Sequence, residues 1–483
     1  MANQNGSIAP PAPAKLIVVT QADAGMRASA GRFSTLSAAP TANLARVLAN
    51  HNATLRPLFG ATEERVIATT RTLAPAAARH AETMATYYAV EAPATELPQL
   101  QQALRAEPLV AGAYIKPGAE PAAFVNDAAP LAAEAPTLTP DFSARQIYLD
   151  DAPAGIDARW AWTQPGGRGQ GVRIIDIEGA WRLTHEDLGG NQGGIVGGAM
   201  SGDIGWRNHG TAVFGEFSGD DNGVGIVGIA PDAIASAIGI FGGLDSSEAI
   251  NAAASRLGAG DVLLIELHRP GPRFGPDFRA DQRGYVAIEW WPDDFLAIRK
   301  AVDHGILVIE AGGNGAEDLD DAIYDAPANG FPRDWKNPFR RSNRDSGAVV
   351  VGAGAPPPGT HGRDHGPDRS RLDFSNFGSV IDVQAWGREV TTTGYGDLQG
   401  GSNEDVWYTD TFSGTSSASP IIVGVAASLQ GMAKARGTLL TPARFRDLVR
   451  ATGSPQQDAP GRLLQQHIGN RPSLRLLQAA AFP

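Results

Sequence analysis

The sequence predicts an α/β fold, a mostly parallel sheet with helices on both faces, preceded by a small α+β domain. Three observations carry this. After residue 145, short buried-strand runs at 172–176, 262–267, 305–310 and 349–354 alternate with helical patterns; strands that are apolar throughout belong to a parallel sheet covered on both sides. Before residue 117, strand and helix signals also alternate, over about a hundred residues, the size of a small sandwich. Between these regions, residues 118–142 are rich in proline and alanine, the composition of a connection. The 483 residues thus divide into a disordered tail at 1–14, a small domain at 15–117, a linker at 118–144 and a large domain at 145–483. That is more chain than one core usually organises.

In the small domain Lys15–Thr20 reads as a strand, and 41–50 as a helix with Leu44, Val47 and Leu48 on one side. Residues 55–59 and 87–90 read as strands, 97–105 as a second helix and 109–115 as an extended segment. In the large domain a glycine-rich turn at 166–171 leads into Val-Arg-Ile-Ile-Asp, a buried strand ending at Asp176. Residues 208–214, Asn-His-Gly-Thr-Ala-Val-Phe, place His209 at the start of a helix running to Phe217. Residues 262–267 form a strand, and 292–304 an amphipathic helix opened by a proline and two aspartates. Between them, 270–291 is a long Pro/Gly/Arg/aromatic loop placed to rim a cleft. The run 305–314 is a strand opening into a glycine turn with Asn314 at its tip. A further strand is expected at 349–354 and a closing helix at 441–452.

The chemistry centres on 413–434. Apolar Ile421, Ile422, Val425, Ala426 and Leu429 have helical spacing. Ser416 therefore sits at a helix N-terminus, where unpaired N–H groups and the dipole favour developing negative charge. Pro420 fits the first turn, where no intrahelical bond is lost. Taken alone, the stretch reads equally as a capped, alanine-rich core helix. A nucleophilic serine needs a base, and the base an orienting carboxylate. His209 and Asp176 supply these types, and the Asn314 amide can donate to an oxyanion.

Composition narrows the function. The net charge is −12. Residues 1–140 hold ten Lys+Arg and ten Asp+Glu, so the acidic excess lies after residue 140. Nothing forms the basic patch that nucleic acid requires, and no stretch approaches the ~18 apolar residues that span a membrane. There are no cysteines, which excludes disulfides, zinc–thiolate sites and a thiol nucleophile. The first residues lack a basic n-region and a long apolar h-region. The expectation is a cytoplasmic protein, unless a leader is missing from this sequence.

Four segments together resemble the subtilisin-like serine proteases. They are Gly-Thr-Ser-Ser-Ala-Ser-Pro at 414–420, His-Gly-Thr-Ala-Val at 209–213, Ile-Ile-Asp at 174–176 and Ala-Gly-Gly-Asn at 311–314. Their order, Asp, His, Asn, Ser, is also that family's and differs from the Ser…Asp…His order of α/β-hydrolases. The resemblance covers residues 145–480, implies late strands at 374–378 and 381–387, and implies a serine endopeptidase of polypeptide substrates. Asp176, His209 and Ser416 would be its triad, and Asn314 with the Ser416 N–H its oxyanion hole. Glu266 and Leu267 of the substrate-pairing strand, with Gly312 and Gly313 of the oxyanion turn, would bind substrate. The 15–117 domain would be a propeptide, an intramolecular inhibitor removed by self-cleavage within 118–145. No organic cofactor is implied, and the protein is expected to be a monomer. Oxygen-rich loops in this family often hold calcium, and Asp220-Asp221-Asn222 offers such oxygens; such residues more often make a solvated turn, so no metal site is assigned. His185 in Thr-His-Glu-Asp-Leu reads as structural. A dedicated processing protease or peptide ligase acting on one partner peptide would keep the same triad, and a catalytically silent binding protein would keep the fold.

The departures from the family carry acid. Where a small residue and a glycine usually follow the aspartate, Ile177 and Glu178 stand. The substrate-pairing strand ends Glu266-Leu-His268 instead of Ser-Leu-Gly, and the oxyanion strand carries Glu310. Buried glutamates are rare unless paired. Glu178, Glu266 and Glu310 are therefore expected either to share protons or to pair with arginines of the 269–283 loop. A Glu266 facing the cleft would favour a basic residue beside the cut.

Overall fold

The computed structural model describes residues 9–29, 31–73, 75–122 and 135–483. Residues 1–8 of the expected tail and 123–134 of the expected linker lie outside these. The large domain is built on a seven-stranded sheet in the order Val383–Trp386, Val349–Gly354, Leu307–Ala311, Val262–Ile265, Arg173–Glu178, Ile234–Gly239, Gln192–Gly197. Every ladder in it is parallel. Side chains alternate between faces, and the register aligns Leu264 with Asp176 and Ile265 with Ile177. One face thus presents Ile174, Val262 and Leu264 to a core shared with helices Ile204–Ser218 and Thr415–Ala435. The other presents Ile175, Ile177, Leu263 and Ile265 to helices Ser246–Ala254 and Pro292–Asp303.

The small domain is a four-stranded antiparallel sheet, ordered Thr54–Pro57, Tyr87–Glu91, Lys15–Thr20, Val110–Lys116. Leu16, Val18, Tyr88 and Val90 on one face meet Leu44 and Leu48 of helix Ala42–Asn50 and Leu100 and Leu104 of helix Leu97–Arg105. Ile17, Val19, Tyr87 and Ala89 face the other way and join the core of the large domain. The two sheets therefore sandwich the large domain's surface helices between them.

Several expectations change. Residues 9–14 are not a free tail: Ala9 and Ala12 are buried, Trp206 Nε1 donates to the Pro10 carbonyl at 2.8 Å and Ala12 N–H to Ala119 at 2.9 Å. His209 lies in the second turn of its helix, because Asp203 caps it by accepting from the Gly205 and Trp206 amides. Pro420 is the sixth residue of Thr415–Ala435, so it withholds an N–H from the Ser416 carbonyl. Residues 374–378 form a turn, since the Asn376 amide bonds the Tyr285 and Gly312 carbonyls and the Glu317 N–H in place of a ladder. The strands Gln192–Gly197 and Ile234–Gly239 were not expected; the first is glycine-rich and carries little strand signal. A further helix, Leu474–Ala481, follows Pro442–Ala451. Among the described residues no helix is long and apolar enough to cross a membrane.

Candidate active site

Ser416 is the second residue of its helix, entered through Gly414 at φ 117°, a backbone conformation that favours glycine. The helix start is tied to the Asn314 turn. The Thr415 N–H and hydroxyl both donate to Asn314 Oδ1, at 2.9 and 3.0 Å, and the Gly313 N–H donates to Thr415 Oγ1 at 3.2 Å. With its oxygen so engaged, Asn314 must present Nδ2 to the cleft. It donates there to the Ala122 carbonyl at 2.6 Å, and the Ser416 N–H donates to the same oxygen at 3.2 Å. Two donors converging on one carbonyl oxygen beside a serine form the arrangement that stabilises a tetrahedral oxyanion.

The carbonyl belongs to the chain's own linker. Glu120–Pro121 runs antiparallel to the edge strand Leu267–Pro270, pairing Pro121 with Leu267 and Glu120 with His268. Main-chain pairing of this kind is how an extended peptide adds to a sheet edge. Leu267 therefore stands where substrate binding was expected. The backbone groups of Gly312 and Gly313 bond within the protein: their N–H groups go to Val351 and Thr415, and their carbonyls accept from Asn376. Both positions are sterically closed to a side chain. A Cβ on Gly312 would come 2.6 Å from the Val351 carbonyl, and one on Gly313 2.7 Å from Asn376 Nδ2.

The carboxylate that meets His209 is not the expected one. Glu178 Oε1 bonds His209 Nδ1, whereas Asp176 accepts from Trp181 Nε1 at 2.8 Å. Both acids are fully buried, two residues apart on one face of one strand. The longer side chain, one residue pair nearer the strand's carboxyl end, reaches the imidazole. Burial pushes Glu178 well above the usual carboxylate range and lowers His209 to about 3. Burial disfavours the charged form of each group. His209 Nε2 and Ser416 Oγ are buried and have no hydrogen-bond partner among the described residues.

Glu266 is fully buried and accepts from Ser419 Oγ at 2.5 Å. Burial raises it well above the usual range, with the Ser419 hydroxyl opposing and Asp176 and Glu178 adding to the rise. Glu216, on the His209 helix, is raised by burial and by Glu266. Burial favours the uncharged form of Glu266, and its hydrogen bond comes from Ser419 and not from an arginine. The three glutamates are not one cluster either. Glu310 lies on the opposite face of the sheet, accepting from the Glu289 N–H at 3.0 Å. Nor do the loop arginines serve them: Arg269 goes to Asp294 and Ser246, Arg273 to Glu317 and Asp321, and Arg279 to Asp281.

Sequence reasoning missed two cleft residues. Gln282 donates to the Pro121 carbonyl at 3.2 Å and accepts from Asn314 Nδ2 at 3.1 Å. Tyr285 donates to Glu120 Oε1 at 2.6 Å. Both lie in the loop expected to rim the cleft. His185 is structural, donating to the Trp407 carbonyl at 2.8 Å and accepting from the Asp187 N–H at 3.2 Å. Asp220 accepts the Gly189 and Gly190 amides, and Asp221 pairs with Arg168. Among the described residues no group of three or more acids or histidines is arranged to hold a metal ion.

The model of the Subtilase family matches residues 198–470, more than half of the chain. The chain belongs to the subtilase family. It is a serine-type endopeptidase by that membership. "Subtilisin-like protease 6" of Trichophyton verrucosum (strain HKI 0517) is 27% identical over 361 residues, covering 69% of this chain and 73% of that protein. "Intracellular serine protease" of Paenibacillus polymyxa is 26% identical over 343 residues, covering 66% and 87%. Fervidolysin from Fervidobacterium pennivorans, a keratinolytic enzyme related to subtilisin, shares the fold at a TM-score of 0.55 and 17% identity, over 99% of this chain and 63% of that one. The matched span of this subtilase begins after the strand bearing Asp176 and Glu178. The usable signal for Glu178 lay in its two C-terminal neighbours: Gly179 and Ala180 are the pair of small residues that Asp176 lacks. Gly179 tolerates no side chain, since a Cβ would come 2.1 Å from Trp206.

Proposed function

We propose that this subtilase hydrolyses peptide bonds with Ser416 as nucleophile, His209 as base and Glu178 as the orienting acid, and that its own N-terminal region is the first substrate and then the inhibitor. In the first step Ser416 Oγ bonds to the substrate carbonyl carbon and its proton passes to His209 Nε2. Glu178 holds Nδ1–H and supports the imidazolium. The Ser416 N–H and Asn314 Nδ2 take the oxyanion. Collapse breaks the C–N bond, and the same proton leaves on the amine. Water, deprotonated by His209, then cleaves the acyl-enzyme.

The observation that carries this reading is the Ala122 carbonyl, held at 2.6 Å from Asn314 Nδ2 and 3.2 Å from the Ser416 N–H. It makes Ala122 the residue whose carbonyl is attacked and the Ala122–Ala123 bond the one cut. The test is intact mass. Full-length protein should yield a catalytic chain beginning at Ala123 and a fragment ending at Ala122, while Ser416→Ala stays in one piece. Cleavage in Ser416→Ala, or a different junction in wild type, would sink the reading.

A further inference from the structure

Glu120 is two residues before the proposed cut, which makes it the third residue on the amino side. It is only 1% exposed. Its pairing with His268 turns the side chain towards Tyr285, whose hydroxyl bonds Oε1 at 2.6 Å. The direction of that bond is set, because the Tyr285 oxygen already accepts from the Arg279 N–H at 2.9 Å. Its one proton is therefore free only for Glu120. The other Glu120 oxygen is buried without a hydrogen-bond partner among the described residues. Among the described residues no cation pairs with Glu120, and Arg279, whose N–H bonds Tyr285, pairs through its side chain with Asp281. The pocket offers a hydrogen-bond donor and exclusion from water but no neutralising charge, which suits a neutral acceptor and penalises an anion or a cation.

We propose that the third residue before the cut is a specificity position, read by Tyr285 in a buried pocket that takes glutamine or an uncharged glutamic acid side chain. The proposal rests on the reading that residues 120–122 lie as a substrate lies. Burial is what raises the Glu120 carboxyl, to about 7, against the opposing Tyr285 bond. The other titratable groups facing the pocket stay uncharged, since burial raises Tyr285 and lowers His268 to about 3. The His268 ring packs against Tyr285 at 4.8 Å.

Proton uptake gives the pH dependence its sign. A glutamic acid free in a peptide titrates near ~4.3, so a glutamate substrate must take up a proton to bind. Its affinity is full below that pH, falls about tenfold per unit as pH rises towards 7, and is flat above. A glutamine substrate shows no such slope.

The test uses enzyme made as the full-length chain, self-processed and freed of its N-terminal fragment, and peptides identical except for Xaa in Xaa-Pro-Ala-Ala, with Xaa Gln, Glu, Leu or Lys. At pH 8 the Gln peptide should exceed Leu and Lys in kcat/KM by about tenfold, the worth of one buried hydrogen bond. The Glu peptide should approach Gln only as pH falls to about 4. In Tyr285→Phe the Gln:Leu ratio should collapse towards one. Cleavage of casein with a flat Xaa profile would overturn the pocket alone. No cleavage of casein or of any peptide would overturn the reading beneath it, and the pocket with it. The peptide comparison in wild type stands even if Tyr285→Phe fails to fold.

Discussion

At the residue scale the decisive choice is between two acids on one strand. Asp176 and Glu178 share a face, and only the second bonds His209. An amide in place of the orienting acid leaves the geometry but favours the wrong imidazole tautomer, at a cost of about 10⁴ in kcat. Glu178→Gln should show a loss of that order, and Asp176→Asn a much smaller one, measured as kcat on a peptide in excess. The reverse ranking would return the role to Asp176. The sequence made Ser416, His209 and Asn314 legible because each sits in a short segment whose residue types serve one turn or helix start. It misled at the acid because strand periodicity puts both carboxylates on the correct face, and only side-chain reach separates them. Glu266 and Glu310 are expected from the sequence to share protons or arginines, yet their strand positions differ by one step in register, which sends them to opposite faces.

At the scale of elements, the informative segment is the loop that brings Gln282 and Tyr285 to the cleft. Nothing local announced either residue, because their partners lie 161 and 165 residues away in the chain. Gln282 adopts φ 51° and is buried, a left-handed conformation that costs a non-glycine residue about 1–2 kcal/mol. That strain aims its amide between the Pro121 carbonyl and Asn314. Glycine would relax the backbone but remove the amide, so stability and activity should separate. In Gln282→Gly the thermal midpoint should hold or rise, while kcat/KM falls about tenfold from the lost hydrogen bonds. Unchanged activity would make the loop a scaffold only. The helices that carry Ser416 and His209 were legible in kind but not in phase, since Asp203 starts one of them a turn earlier than His209 suggested.

At the scale of the whole molecule, the two domains meet at charge as well as at apolar surface. Lys116 ends the last strand of the small domain, fully buried. Its Nζ reaches Asp293, Asp245 at 2.8 Å and Asp294 at 3.2 Å. Asp245 caps helix Ser246–Ala254, and the other two open helix Pro292–Asp303, so the lysine closes two helix N-termini at once. Burial lifts Asp294 to about 7, with Lys116 opposing, and the site holds its carboxylates only because the cations are present. Removing one partner from such a buried set typically costs about 3–5 kcal/mol, since the remaining charges stay uncompensated. The cost falls on the docked state, because separation returns the aspartates to water. Lys116→Ala should therefore loosen the small domain after the chain is cut. Less N-terminal fragment should co-purify with the catalytic chain, and the lag before activity appears should shorten against wild type. Equal retention and an equal lag would mean that the apolar face of Ile17, Val19 and Tyr87 holds the domain without help from the lysine.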